Sequence, residues 1–139
     1  MASLFIIKLD QRSIELGDRT QLDADAMADW YSRADILVGP SWYEPFGMVV
    51  LEGMLHGLAV AASDVGGPRE ILEHGVTGLL FQPRSANALA ATIGRLADSH
   101  TLRDSLGRRA ASHVRDSWCY DSVMTKMHAV YSRASCQLM

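Results

Sequence analysis

Three short apolar runs constrain this chain more than any other feature: ILVG at 36–39, LAVAAS at 58–63 and GLLF at 78–81. Each is too short for a stable helix and has almost no polar alternation. That is the pattern of a strand buried on both faces. The segments between them carry helix punctuation. Asp23 can cap a helix over about 24–34, whose apolar side holds Ala26, Met27, Trp30, Tyr31 and Ala34. A second helix is expected from Phe46 to His56, closed by Gly57. Pro68 opens a third, PREILEH, at a first-turn position where its missing N–H costs nothing. HGVTG then reads as a tight turn. Three further helices, about 86–98, 101–116 and 120–133, finish the chain. Strands alternating with helices imply βαβ units, hence a Rossmann-like parallel sheet flanked by helices in an open α/β fold.

The amino-terminal part is less regular. SIEL, closed by Gly17, reads as a short strand ending in a turn. LFII near the start is strand-like but has no evident local partner, so residues 1–13 stay unassigned. One domain over 14–134 and a tail at 135–139 follow, since no repeat or linker interrupts the sequence. At 139 residues with 48% hydrophobic content, a single packed core is expected.

Composition excludes several functions. A net charge of −3 sets up no field for nucleic acid. Residues 1–70 hold 11 acids and 5 bases, residues 71–139 hold 5 acids and 8 bases, which is ordinary for helix surfaces. The basic helix with Arg103, Arg108, Arg109 and Arg115 offers at most a weak contact to an acidic membrane, and a solvated face is the simpler account. Cys119 and Cys136 are far apart, and the five histidines form no cluster with metal-ligand spacing. No metal and no cofactor is expected, and the thiols and the lack of a leader read as cytoplasmic.

In open α/β sheets, ligands bind beyond the carboxyl ends of the strands. That rule selects two loops, PSWYEPFG after ILVG and SDVGGPRE after LAVAA. The first leads into a helix whose early N–H groups, on Phe46, Gly47, Met48 and Val49, can face an anion or sugar hydroxyls. Glu44 lies ahead of that helix and Glu52 about two turns in, roughly 10–12 Å apart at 1.5 Å per residue. Paired catalytic carboxylates sit about 5–9.5 Å apart, so these two suit opposite ends of one extended ligand rather than a single bond. Spacing equally allows a plainer account: Glu44 as an acid favoured by the helix dipole, and Glu52 as a solvent-facing residue. Gly66 and Gly67 either let a ligand pass close to the backbone or form a strand-to-helix turn needing positive φ. Arg69 is expected on a helix surface, Ser41 in its own turn and His56 at a helix C-terminus.

The stretch PSWYEPFGMVVLEGMLHGLAVAASDVGGPREILEHGVTGLLFQP resembles the signature region of family-4 retaining glycosyltransferases. It has the two glutamates separated by seven residues, the G-x-x-V strand entry, the Gly-Gly turn and the T-G-L-L-F-x-P strand. Weaker similarity runs from Ile14 to Tyr131. The resemblance implies a GT-B fold of two Rossmann-like domains with the active site in the cleft between them, of which this chain is the donor-binding, C-terminal half without its first elements. By the resemblance, Glu44 lies at the donor sugar as the catalytic position. The amides of Phe46, Gly47 and Met48 meet sugar hydroxyls, Val49 lies near the phosphates, and Glu52 holds the ribose. The partner is then a nucleotide-diphosphate sugar. The resemblance requires no metal, and the donor's own phosphate helps deprotonate the acceptor.

Lys8 and Arg12 do not occupy the motif in which this family places its diphosphate-gripping Arg–Lys pair. The chain by itself is therefore expected to be inactive. An acceptor-binding domain on a separate chain and a second copy of this one are candidate partners, the latter by swapping LFII; folding back of LFII within one chain is the alternative. Two rivals remain: a non-catalytic remnant that binds a nucleotide sugar or a partner, and a nucleotide-sugar 2-epimerase, against which the glutamate spacing argues.

Overall fold

The computed structural model describes residues 5–10, 13–18 and 24–136. The elements are β1 (Phe5–Asp10), β2 (Ser13–Asp18), α1 (Ala24–Arg33), β3 (Ile36–Gly39), α2 (Met48–Leu55), β4 (Ala59–Ser63), α3 (Gly66–Ile71), β5 (Leu79–Phe81), α4 (Ala86–Asp98), α5 (His100–Ser117) and α6 (Tyr120–Cys136). The strands form one five-stranded sheet in the order β2-β1-β3-β4-β5.

The three apolar runs form the parallel part. Ile36 pairs with Ala59 and Gly39 with Ala62 across β3–β4, and Ala61 pairs with Leu79 across β4–β5. Both faces of these strands are buried, as their composition requires. Leu37, Val60 and Ala62 pack with Met27, Tyr31, Val50, Met54 and Val114. Ile36, Val38, Ala59 and Ala61 pack on the other face with Phe81, Leu96 and Leu106. Successive side chains of one strand thus enter opposite cores.

The amino-terminal edge departs from an all-parallel sheet. β1 runs antiparallel to both β2 and β3, with Ile6 opposite Gly17 on one side and Leu37 on the other. Two residues separate β1 from β2, whereas a parallel crossover needs a dozen or more, so β2 must return along β1. β2 and β3 then run the same way, joined through α1, with β1 inserted between them. Gly17 is a paired strand residue and not the turn expected there. Phe5, Ile6 and Ile7 of LFII thus pair with Val38, Leu37 and Ile36 of β3 in the single chain. Asp35 secures the join: its N–H donates to the Ile7 carbonyl at 3.0 Å, its Oδ2 accepts from the Leu9 N–H at 2.7 Å, and Lys8 Nζ lies 3.6 Å from the same oxygen.

Helix boundaries follow the caps. Ser85 and Ser99 accept from the Ala88 and Leu102 amides and start α4 and α5. α2 begins at Met48, two residues later than expected, because Gly47 is left-handed at φ 88°. Gly57, at φ 74°, follows its C-cap His56. Among the described residues, no helix is long and apolar enough to cross a membrane.

Candidate functional site

Both selected loops leave the carboxyl ends of parallel strands and are packed against each other through glycine. The Gly67 N–H donates to the Glu44 carbonyl at 2.9 Å. A Cβ on Gly67 would lie 1.9 Å from the Phe46 carbonyl oxygen, and one on Gly66 2.2 Å from that of Glu44. Gly66 also has φ 40°, as a turn would require. Neither account given for the Gly-Gly pair is complete, since the first demand on both residues is contact between the two loops. No local signal announces that contact.

The Glu44 carboxylate turns back over the start of α2. Its Oε1 accepts the Gly47 N–H at 3.0 Å. An acid in this place is favoured by the helix dipole. The Gly47 amide, one of the four the sequence offers to a ligand, is thus engaged by the Glu44 carboxylate. The amides of Met48 and Val49 belong to the first turn of α2 and have no acceptor within the helix. Phe46 and Met48 are exposed beside them, and the Phe46 ring meets Trp118 edge-on at 6.5 Å.

Glu52 is half-buried on the second turn of α2, contrary to a solvent-facing place. The hydroxyl of Tyr31 donates to its Oε2 at 2.8 Å. Tyr31 is 3% exposed, comes from α1, and its ring lies 4.9 Å from that of His56. His56 in turn donates from Nδ1 to the Glu52 carbonyl at 2.9 Å. Sequence reasoning assigned Tyr31 to the core and missed this use of its hydroxyl. The available signal was a tyrosine, in place of phenylalanine, on a buried helix face, because a buried phenol needs a partner.

Arg69 takes no part in this arrangement. Its Nε donates to Asp64 Oδ1 at 2.6 Å and a terminal nitrogen to the Asp64 carbonyl at 2.9 Å. The hydrogen bond and charge of Asp64 hold the guanidinium above its ordinary pKa. The arginine thus closes the β4–α3 loop. Ser41 is buried next to Trp42 and Tyr43, which are 70% and 80% exposed.

Two depressions flank the sheet. One, of about 250 Å³, opens at the carboxyl ends of β3, β4 and β5 and includes Trp42, Ser63 and Arg84. The other, of about 210 Å³, lies at the opposite end of the sheet between Asp35, His56 and His100. The rule for open α/β sheets favours the first end.

Residues 4–99 match the family model described as Glycosyl transferases group 1. A D-inositol 3-phosphate glycosyltransferase of Streptomyces griseus is 36% identical over 110 residues, 79% of this chain and 23% of that protein. Among solved structures, sucrose-phosphate synthase from Thermosynechococcus elongatus superposes with a TM-score of 0.74 at 35% identity, over 84% of this chain and 29% of that one. Anabaena HepE in complex with UDP gives a TM-score of 0.67 at 29% identity, over 81% of this chain and 30% of that one. The same Anabaena protein has been solved with UDP-glucose. The chain spans about a quarter to three tenths of the length of these relatives.

Proposed function

The chain belongs to the group 1 glycosyl transferases and has the fold of a GT-B half, and from that premise we propose that it binds the nucleotide-sugar donor of a retaining glycosyl transfer. The observation that carries this reading is the joint between the two loops. It fixes the Glu44 backbone just ahead of α2, the helix that carries the first amides and the Tyr31-held Glu52. A nucleotide sugar is extended enough to meet all three. Binding of UDP and UDP-glucose by the Anabaena neighbour supports this class of ligand.

In this reading Glu44 faces the donor sugar. The Phe46 and Met48 amides meet sugar hydroxyls, Val49 lies near the phosphates, and the Glu52 carboxylate accepts from the ribose hydroxyls. Gly47, Gly66 and Gly67 shape the site. Gly47 hands its amide to Glu44, while the Gly-Gly pair holds the Glu44–Phe46 backbone in place. The reaction is transfer of a hexosyl group in the cytoplasm. The acceptor is held by a domain beyond this stretch, because the chain covers only 23% to 29% of the length of these relatives. We accordingly expect donor binding without turnover from this chain alone.

Calorimetry with UDP-glucose tests the reading. Removing one charge-assisted pair costs about 1.5–3 kcal/mol, so Glu52→Ala should bind roughly ten- to a hundredfold more weakly. Equal affinity of the two proteins would refute the ribose role. Turnover of UDP-, GDP- or ADP-sugars well above a Glu44→Ala control would refute the expected inactivity.

A further inference from the structure

The depression of about 250 Å³ at the carboxyl ends of β3, β4 and β5 is not used by the donor reading. Its walls are Pro40, Phe81 and Leu89, all apolar. At its mouth the Arg84 guanidinium lies 5.1 Å from the centroid of the exposed Trp42 ring. The first turn of α4, a helix of 13 residues, completes the rim and adds the positive end of its dipole. Among the described residues, no acidic side chain lines the space. Arg33, Arg69 and Arg108 each pair with an aspartate, but Arg84 has no carboxylate partner among the described residues.

Ser63 supplies an independent sign of a ligand. It is 1% exposed and lines the depression. Of the other buried polar residues, Thr77 accepts from the Glu73 amide and Thr92 donates to the Ala88 carbonyl, while Ser41, 7% exposed and outside the depression, also lacks a side-chain partner among the described residues. The Ser63 hydroxyl has no hydrogen-bond partner among the described residues. Its oxygen is nonetheless not sealed off, since no fully enclosed side-chain polar atom among those residues lacks a partner. Its opening is the space that it lines. A buried hydroxyl with nothing to bond is costly unless something enters to bond it.

Size and chemistry together define that ligand. Drug-sized ligands occupy about 300–1,000 Å³, so 250 Å³ suits a single ring and not a whole nucleotide sugar. The apolar walls take the C–H face of a ring, Ser63 takes a hydroxyl, and Arg84, held over the Trp42 ring, takes an anion together with the α4 amino end. We propose that this depression is a binding subsite for one sugar ring bearing an anionic group, either a phosphate or a carboxylate. Trp42 stands two residues from Glu44, so the subsite lies beside the proposed donor site; the binding of the anionic sugar does not rest on that donor reading.

Amide-resolved NMR titrations with glucose 6-phosphate, glucuronate, glucose and inorganic phosphate test it. The informative variant is Arg84→Gly. Arg84 has φ 60°, a left-handed conformation that glycine adopts freely, so the substitution removes the cation and leaves the turn intact. Ser63→Ala removes the hydroxyl from a site without a partner for it and should not unfold the sheet. At least one anionic sugar should shift the Ser63 and Ala86 amides of the wild type. Its affinity should fall about tenfold or more in Arg84→Gly and in Ser63→Ala, with melting temperatures maintained. A response to one anionic sugar and not the other identifies the anion. The proposal is overturned if neither shifts these amides, if inorganic phosphate binds as tightly as the sugar phosphate, or if Arg84→Gly binds as the wild type does. UDP titrated into the same samples keeps the two ideas apart. UDP binding without anionic-sugar binding sinks the subsite alone, and the reverse sinks the donor reading alone.

Discussion

Gly67→Ala tests the joint on which the candidate site depends. The added Cβ would meet three backbone atoms of Phe46, its O at 1.9 Å, its C at 2.2 Å and its Cα at 2.7 Å. No side chain can rotate away to relieve this. Side-chain carbons essentially never come closer than 3.0 Å, so the loops must part by the difference from 1.9 Å, 1.1 Å at least. The hydrogen bond from the Gly67 N–H to the Glu44 carbonyl is strained at the same time. Overpacking of this kind costs about 1–3 kcal/mol, or about 4–12 °C in melting temperature for a domain of this size. The effect on function should be larger, since a displacement of about 1 Å in a positioning element can cost on the order of a hundredfold. Gly94→Ala is the control. Nothing lies within 4 Å of its added Cβ, and it sits inside α4, where alanine is favoured by about 0.5–1 kcal/mol. Thermal unfolding and UDP-glucose calorimetry on both variants decide the matter. If Gly67→Ala melts and binds like Gly94→Ala, the loops are not held by that contact and the argument for the Gly-Gly pair fails.

Tyr31→Phe keeps the ring in the core but removes the hydrogen bond to Glu52, at about 0.5–1.5 kcal/mol in urea unfolding; nucleotide affinity should fall with it, and unchanged affinity would show that Glu52 needs no holder. Ser99→Ala deletes the acceptor for the Leu102 amide at the start of α5 and should cost about 1 kcal/mol by the same assay, with UDP binding intact. Because β1 covers the β3 edge within one chain, light scattering at micromolar concentration should find a monomer, and a stable dimer would contradict that pairing as the resting state.

What could be read in the sequence, and what could not, divides along a physical line. β3, β4 and β5 were visible because strands buried on both faces must be apolar throughout, and α4 was visible because Ser85 marks its start and its apolar period does the rest. The strand–helix alternation located both loops, and the carboxylates Glu44 and Glu52 stood out in them. Three features were missed. α3 starts at Gly66, two residues ahead of Pro68, because a first-turn residue needs no N–H even at the third position. The place of β1 was hidden because its partner Leu37 is 31 positions from Ile6, and nothing in LFII specifies that edge. The supports of the site were hidden for the same reason. Tyr31 reaches Glu52 across 21 positions, Gly67 meets Phe46 across 21, and Arg84 covers Trp42 across 42. A residue that touches ligand is constrained in type and spacing by the ligand's chemistry, so it leaves a local pattern. A residue that holds such a residue in place is constrained only by the tertiary contact, which many sequences satisfy. Substitutions at Tyr31 and Gly67 are for that reason sharper tests of this site than further substitutions at Glu44: they can fail while the motif remains untouched.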